Sequence, residues 1–176
     1  MTVSSSPELY YVAYEAFLSD LEAIACQMDA DPWKPDFLVG VGRGGLVPAA
    51  YLSHRTGINL LSVDHSAGDA AFADELLAKL AAKSREGDRI LIVDDINDSG
   101  STIAYLREVL VSHGCSEPNI RVAVLINNVS SKAGVEYAGT HIDRLKDKRW
   151  FVFPWEAMAK AERITRDAAA VPERLA

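Results

Sequence analysis

Apolar positions at Tyr10, Tyr14, Phe17, Leu21, Ile24 and Met28 recur in alternating steps of four and three, which is one face of a helix. Ser6 and Pro7 suit its cap and first helical position, and Pro32 and Pro35 end it. The pattern then changes. Phe37 to Val41 is a short, unbroken apolar run, which predicts a strand buried on both faces. Leu46 to Arg55 reads as helix, with Gly57 placed to stop it. Asn59 to Val63 predicts a second strand, and Ala70 to Lys83, rich in Ala, Leu, Glu and Lys, predicts a helix closing near Gly87. Arg89 to Val93 is a third strand, Ser101 to His113 a helix ahead of Gly114, Ile120 to Ile126 a fourth strand, and Trp150 to Phe153 a short fifth. Strands alternating with helices predict an α/β fold, a mostly parallel sheet flanked by helices on both faces. Ligands of such sheets bind beyond the carboxyl ends of the strands.

The chain length of 176 residues fits one domain, and no internal repeat or flexible linker divides it. Its net charge of −7, without a basic run, argues against nucleic acid or an anionic membrane as partner. No basic-then-apolar leader opens the sequence, and no apolar stretch approaches the ~20 residues of a membrane helix. Cys26 and Cys115 form no pair motif and are expected to be buried thiols in a reducing, cytoplasmic setting.

The segment after the third strand changes this picture most. Asp94-Asp95-Ile96-Asn97-Asp98 runs into Ser99-Gly100-Ser101-Thr102, so three carboxylates face a helix start rich in hydroxyls. First-turn amides have no partner within a helix and form a nest for an anion, with the helix dipole adding roughly 0.3–2 kcal/mol. Gly100 lets backbone approach a phosphate. Paired acceptors such as Asp94 and Asp95 suit the vicinal hydroxyls of a ribose, and carboxylates also help to hold a divalent cation carried by a pyrophosphate. Asp98 is then left for acid–base work. The Gly-Lys-Ser/Thr phosphate loop and the dinucleotide fingerprint are both absent.

ILIVDDINDSGSTI, residues 90–103, resembles the phosphoribosyl-pyrophosphate (PRPP) motif of type I phosphoribosyltransferases. The resemblance implies that Asp94 and Asp95 hold the ribose hydroxyls and that Asp98 to Thr102 bind the 5-phosphate. Val41-Gly42-Arg43-Gly44-Gly45-Leu46-Val47-Pro48 is similar to the family's pyrophosphate loop, with Arg43 and the amides around Gly44 facing phosphate oxygens. Trp150-Phe151-Val152-Phe153-Pro154-Trp155-Glu156 resembles a segment of xanthine–guanine and related purine enzymes. There the first aromatic stacks on the base and the next residue's backbone meets its edge, roles that fall to Trp150 and Phe151. Also implied are Mg2+ held near Asp94, Asp95 and Glu156, a cytoplasmic homo-oligomer (dimer or tetramer), PRPP and a purine as ligands, and Asp98 as acceptor of the N7 proton. In the same terms the single domain, 1–176, divides into a PRPP-binding core (35–130), a small base-recognition hood (131–156) and a helical, charged tail (157–176).

Two departures from the family pattern stand out. Many purine members carry a lysine just past the fourth strand that contacts the six-position oxygen. Here Asn127 or Asn128 stands at that place, and Lys132 comes several residues later. Any of the three is a candidate to read the base. The loop Asp64 to Phe72 contains His65 but no basic residue, and it is either a cover for the site or a surface turn. The expected activity is transfer of 5-phosphoribose from PRPP to a 6-oxopurine. Its rival is a regulatory protein of the same fold that senses PRPP or nucleotide.

Overall fold

The computed structural model describes residues 8–64 and 70–170, so Ser6, Pro7 and His65 lie outside the described residues. Five parallel strands form the main sheet: β2 (Phe37–Val41), β3 (Asn59–Val63), β4 (Ile90–Asn97), β5 (Ile120–Asn128) and β6 (Tyr137–Ile142), in the order β3-β2-β4-β5-β6. Strand β1 (Leu9–Tyr11) stands apart and pairs in parallel with β7 (Trp150–Val152).

The unbroken apolar runs are explained by burial on both faces. In β4, Leu91 and Val93 join β5 residues Ala123 and Leu125 against Phe17, Leu21 and Ile24 of α1 (Tyr14–Ala30) and Leu52 of α2 (Gly42–Thr56). The alternate residues Ile90, Ile92, Val122 and Val124 pack on the opposite face. Their partners there are Leu77 and Leu80 of α3 (Ala70–Arg85) and Leu106 and Leu110 of α4 (Ser101–Ser112). The chain leaves β2 towards β3 and then crosses back to β4 on the other side of β2. The sheet therefore reverses its winding between β2 and β4, where a crevice opens beyond the strand ends.

Several expectations change. Tyr10 is in a strand, and the first helix begins at Tyr14; the four-and-three spacing continued by chance into a segment whose backbone bonds to β7. Trp150 to Phe153 does not supply the fifth strand of the main sheet. That place belongs to β6, whose sequence YAGTHI is buried only at Tyr137 and Ala138 and so carries little apolar signal. The glycine-rich segment after β2 is the first turn of α2 rather than a loop. β4 continues to Asn97 and β5 to Asn128, which puts Asp94 and Asp95 inside a strand. Cys26 is exposed and Cys115 only partly buried, so neither is the fully buried thiol expected. The tail is helical, as α5 (Ala161–Ala169), with Ile164 and Ala168 buried. Among the described residues no helix is long and apolar enough to cross a membrane.

Candidate active site

A cavity of about 890 Å³ opens at the carboxyl ends of β2 and β4. Its floor is made by Gly42, Arg43 and Gly44 and by the run from Asp94 to Ile103. Asn128, Arg144, Lys148 and Trp150 form one side. Trp155, Glu156, Met158 and the α5 residues Arg163, Ile164 and Asp167 close the other.

The floor depends on close approach of two backbones. A methyl group on Gly45 would lie 2.2 Å from the Val93 carbonyl oxygen, and one on Gly44 would lie 2.3 Å from Asp95 Oδ2. Glycine here seats the N-terminus of α2 directly on the end of β4. The amides of that first turn thus face the same space as the acidic pair.

Asp94 is buried, and its Oδ1 accepts a 2.9 Å hydrogen bond from the Asp95 amide. Burial pushes its carboxyl well above the usual range, and the neighbouring Asp95 charge adds to that. Burial likewise lifts Asp95 from 3.8 to about 6, helped by the charge of Glu156, against the hydrogen bond from the Ile96 amide. An acidic wall this reluctant to ionise suits a site that receives donors or a cation from its ligand. Among the described residues no three acidic, histidine or cysteine side chains gather as a protein-only metal cage requires.

The raised value has a consequence for stability. Between the unfolded value near 4 and the folded value of about 6, the folded protein holds a proton that the unfolded chain has released. Stability of the ligand-free protein should therefore fall as pH rises through that window. Melting curves from pH 4 to 7 should show a shallower fall for Asp95→Asn. Parallel curves for the variant and the wild type would refute this.

The loop after the acids turns tightly into the start of α4. Gly100 has φ +86°, and a Cβ there would meet the Ala133 amide and Ser131 Oγ at 2.7 Å each. Ser99 and Ser101 share a 2.8 Å hydroxyl–hydroxyl bond, and the Ser101 amide donates to Ser99 Oγ at 3.3 Å. Thr102 completes the turn at the cavity surface. Asp98 sits just upstream, where its carbonyl accepts from Asn128 Nδ2 at 2.9 Å and its Oδ1 from Arg144 Nε at 2.8 Å.

The three candidates for base reading separate in space. Asn127 Oδ1 accepts from Asn97 Nδ2 at 2.8 Å, and Asn127 is not in the cavity wall. Lys132 is exposed outside that wall, its amide donating to Ser99 O at 3.3 Å behind the turn. Asn128 reaches the cavity, but its Nδ2 is held by Asp98 and its Oδ1 by the amides of Ser130 and Arg144. Trp150 lines the cavity, whereas the Phe151 ring is buried against Tyr10, with centroids 5.6 Å apart. Alternation along β7 sends the two aromatics to opposite sides. Glu156 lines the cavity, and its Oε2 accepts from the Phe153 amide at 2.9 Å. Arg43 is on the floor and exposed.

The model of the phosphoribosyl transferase domain matches residues 11–161. The chain belongs to the phosphoribosyltransferase family. It is 32% identical over 147 residues to a xanthine-guanine phosphoribosyltransferase of Vibrio vulnificus, covering 80% of this chain and 84% of that one. To the enzyme of the same name from Idiomarina loihiensis it is 28% identical over 159 residues, 86% of this chain and 89% of that one. A purine phosphoribosyltransferase structure from Pyrococcus horikoshii superposes with a TM-score of 0.62 at 25% identity, over 87% of this chain and 97% of that one. Most of α5 lies past the matched residues, so this phosphoribosyltransferase walls its cavity partly with a segment outside the family's common domain.

Sequence reading missed Arg144, Lys148 and the α5 residues of the wall. The first two follow β6, the strand whose apolar signal is weakest. Had that strand been recognised, the strand-end rule would have drawn attention to 143–149.

Proposed function

We propose that this phosphoribosyltransferase moves 5-phosphoribose from PRPP to a 6-oxopurine, releasing pyrophosphate and a nucleoside 5-monophosphate. The observation that carries the proposal is that one cavity holds a paired acid, an anion nest and an aromatic face in sequence: Asp94–Asp95, Ser99–Thr102 and Trp150. The nest takes the 5-phosphate, the acids accept the ribose hydroxyls, and Trp150 stacks on the flat base. Arg43 and the amides of the first turn of α2 face the pyrophosphate.

Base N9 bonds to the anomeric carbon as the carbon–oxygen bond to pyrophosphate breaks, and that electron pair leaves with the pyrophosphate. Asp98 accepts the N7 proton. Asp94, Asp95 and Glu156 are the acids on the wall that would hold Mg2+ through its water shell, and the ion would neutralise charge on the leaving group. The wall lacks a cage of its own, so the pyrophosphate must supply part of the coordination.

Pyrophosphate release with PRPP, magnesium and a panel of purines tests the reading. Release with guanine, hypoxanthine or xanthine supports it. Tight nucleotide binding without turnover of any base would favour the sensing protein instead. Excess chelator should bring turnover to background, because the Asp94–Asp95 wall otherwise repels the polyanion at close range. Full activity in chelator would refute the metal requirement.

A further inference from the structure

Arg144 lies just past the end of β6, on the cavity wall, with its side chain only 11% exposed. Its guanidinium is fixed on several sides. Nε donates to Asp98 Oδ1 at 2.8 Å and Nη2 to Asp98 Oδ2 at 3.4 Å. Nη1 donates to the carbonyls of Asp147 and Arg149 at 3.1 and 2.8 Å, and the group lies 5.0 Å from the centre of the Phe151 ring. The Arg144 amide is held in turn by Asn128 Oδ1 at 3.1 Å. A guanidinium has five N–H donors, and these contacts use four. The fifth, on Nη2, finds no acceptor among the described residues.

The cavity therefore presents an acceptor, the Asp98 carboxylate, beside a fixed donor, Arg144 Nη2. A free 6-oxopurine protonated at N7 shows the complementary order, an N7–H donor beside an oxygen acceptor. Adenine places an amine donor at that second position. We propose that Arg144 is the specificity residue for the base, donating to the six-position oxygen while Asp98 takes the N7 proton. This rests on the purine reading above. Asn128 acts through Arg144 as a positioning residue, and Asn127 and Lys132 take no part.

Calorimetric binding of inosine and adenosine 5-monophosphates, which differ at the six-position group and in the proton on N1, tests the assignment without turnover. The wild type should prefer the inosine nucleotide. R144M should lose about 10–100-fold in affinity for it, the scale of a hydrogen bond to a charged group, with a smaller change for the adenosine nucleotide. Ribose 5-phosphate should bind as before. R144K, which keeps a donor, should retain the preference. R144Q replaces R144M if that variant does not fold, with the same expected direction. An unchanged preference in R144M, an equal loss for both nucleotides in R144M and R144K, or a preference that disappears in K148M instead would overturn the assignment. A wild type that binds neither nucleotide would overturn the purine reading itself.

Discussion

Replacing Asp98 by Asn should lower kcat by about 10²–10⁴-fold while leaving the KM for PRPP close to that of the wild type. The amide keeps the side chain's shape and still offers Oδ1 to Arg144 Nε, the 2.8 Å contact that orients it. It cannot take a proton. The nest at Ser99–Thr102 and the acids Asp94 and Asp95 are untouched, so PRPP should still be held. Steady-state kinetics with saturating purine, combined with calorimetric titration of PRPP, separate the two quantities. A wild-type kcat across the accessible pH range would remove Asp98 from the role of proton acceptor. Equal losses in kcat and PRPP affinity would instead make it part of the phosphate site.

The second large effect is expected at Gly45. An alanine methyl there would lie 2.2 Å from the Val93 carbonyl oxygen and 3.0 Å from Asp94 Cα. Both are backbone atoms, so no side-chain rotation relieves the overlap, and α2 must lift from the end of β4. The cost should be about 1–3 kcal/mol, as for other overpacked sites, which for a chain of this size is about 2–4 °C of melting temperature per kcal/mol. The same lift separates Arg43 and Gly44 from Asp95, so the KM for PRPP should rise sharply. Gly134→Ala is the control, since nothing lies within 4 Å of its added methyl. If Gly45→Ala melted and bound PRPP like that control, close contact between α2 and β4 would not be what shapes the floor.

Legibility in the sequence followed the way burial is written into the chain. Strands β2, β4 and β5 are covered on both faces over their apolar stretches Phe37–Val41, Ile90–Val93 and Val122–Ile126, and those runs are unmistakable. Edge strand β6 buries only its first two residues and was invisible. The start of α2 was hidden because glycine is a poor helix former; here the need for close contact outweighs that propensity. The cavity floor from Asp94 to Thr102 was readable because one contiguous segment supplies it. The side that includes Trp150 was not, because it also draws on Asn128, Arg144 and Lys148 from the ends of two strands. Position in sequence says where a lysine sits; only the fold shows that Ser131 to Ala133 pack behind Gly100 and carry Lys132 out of reach.

The pairing of β1 with β7 bears on the order in which the molecule can be assembled. Leu9 stands opposite Trp150, the Trp150 amide donates to Glu8 O at 2.7 Å, and the Val12 amide donates to Val152 O at 2.9 Å. These contacts join segments from opposite ends of the chain, among the most non-local in the molecule. Phe37 to Asn128 contains four of the main sheet's strands, which can pair with one another before β7 is in place. The early-made β1 must wait, unpaired, for its partner. Contacts that close so long a loop form late and slowly. The segment from Asp94 to Thr102 can thus take shape while the Trp150 side of the cavity is still unmade.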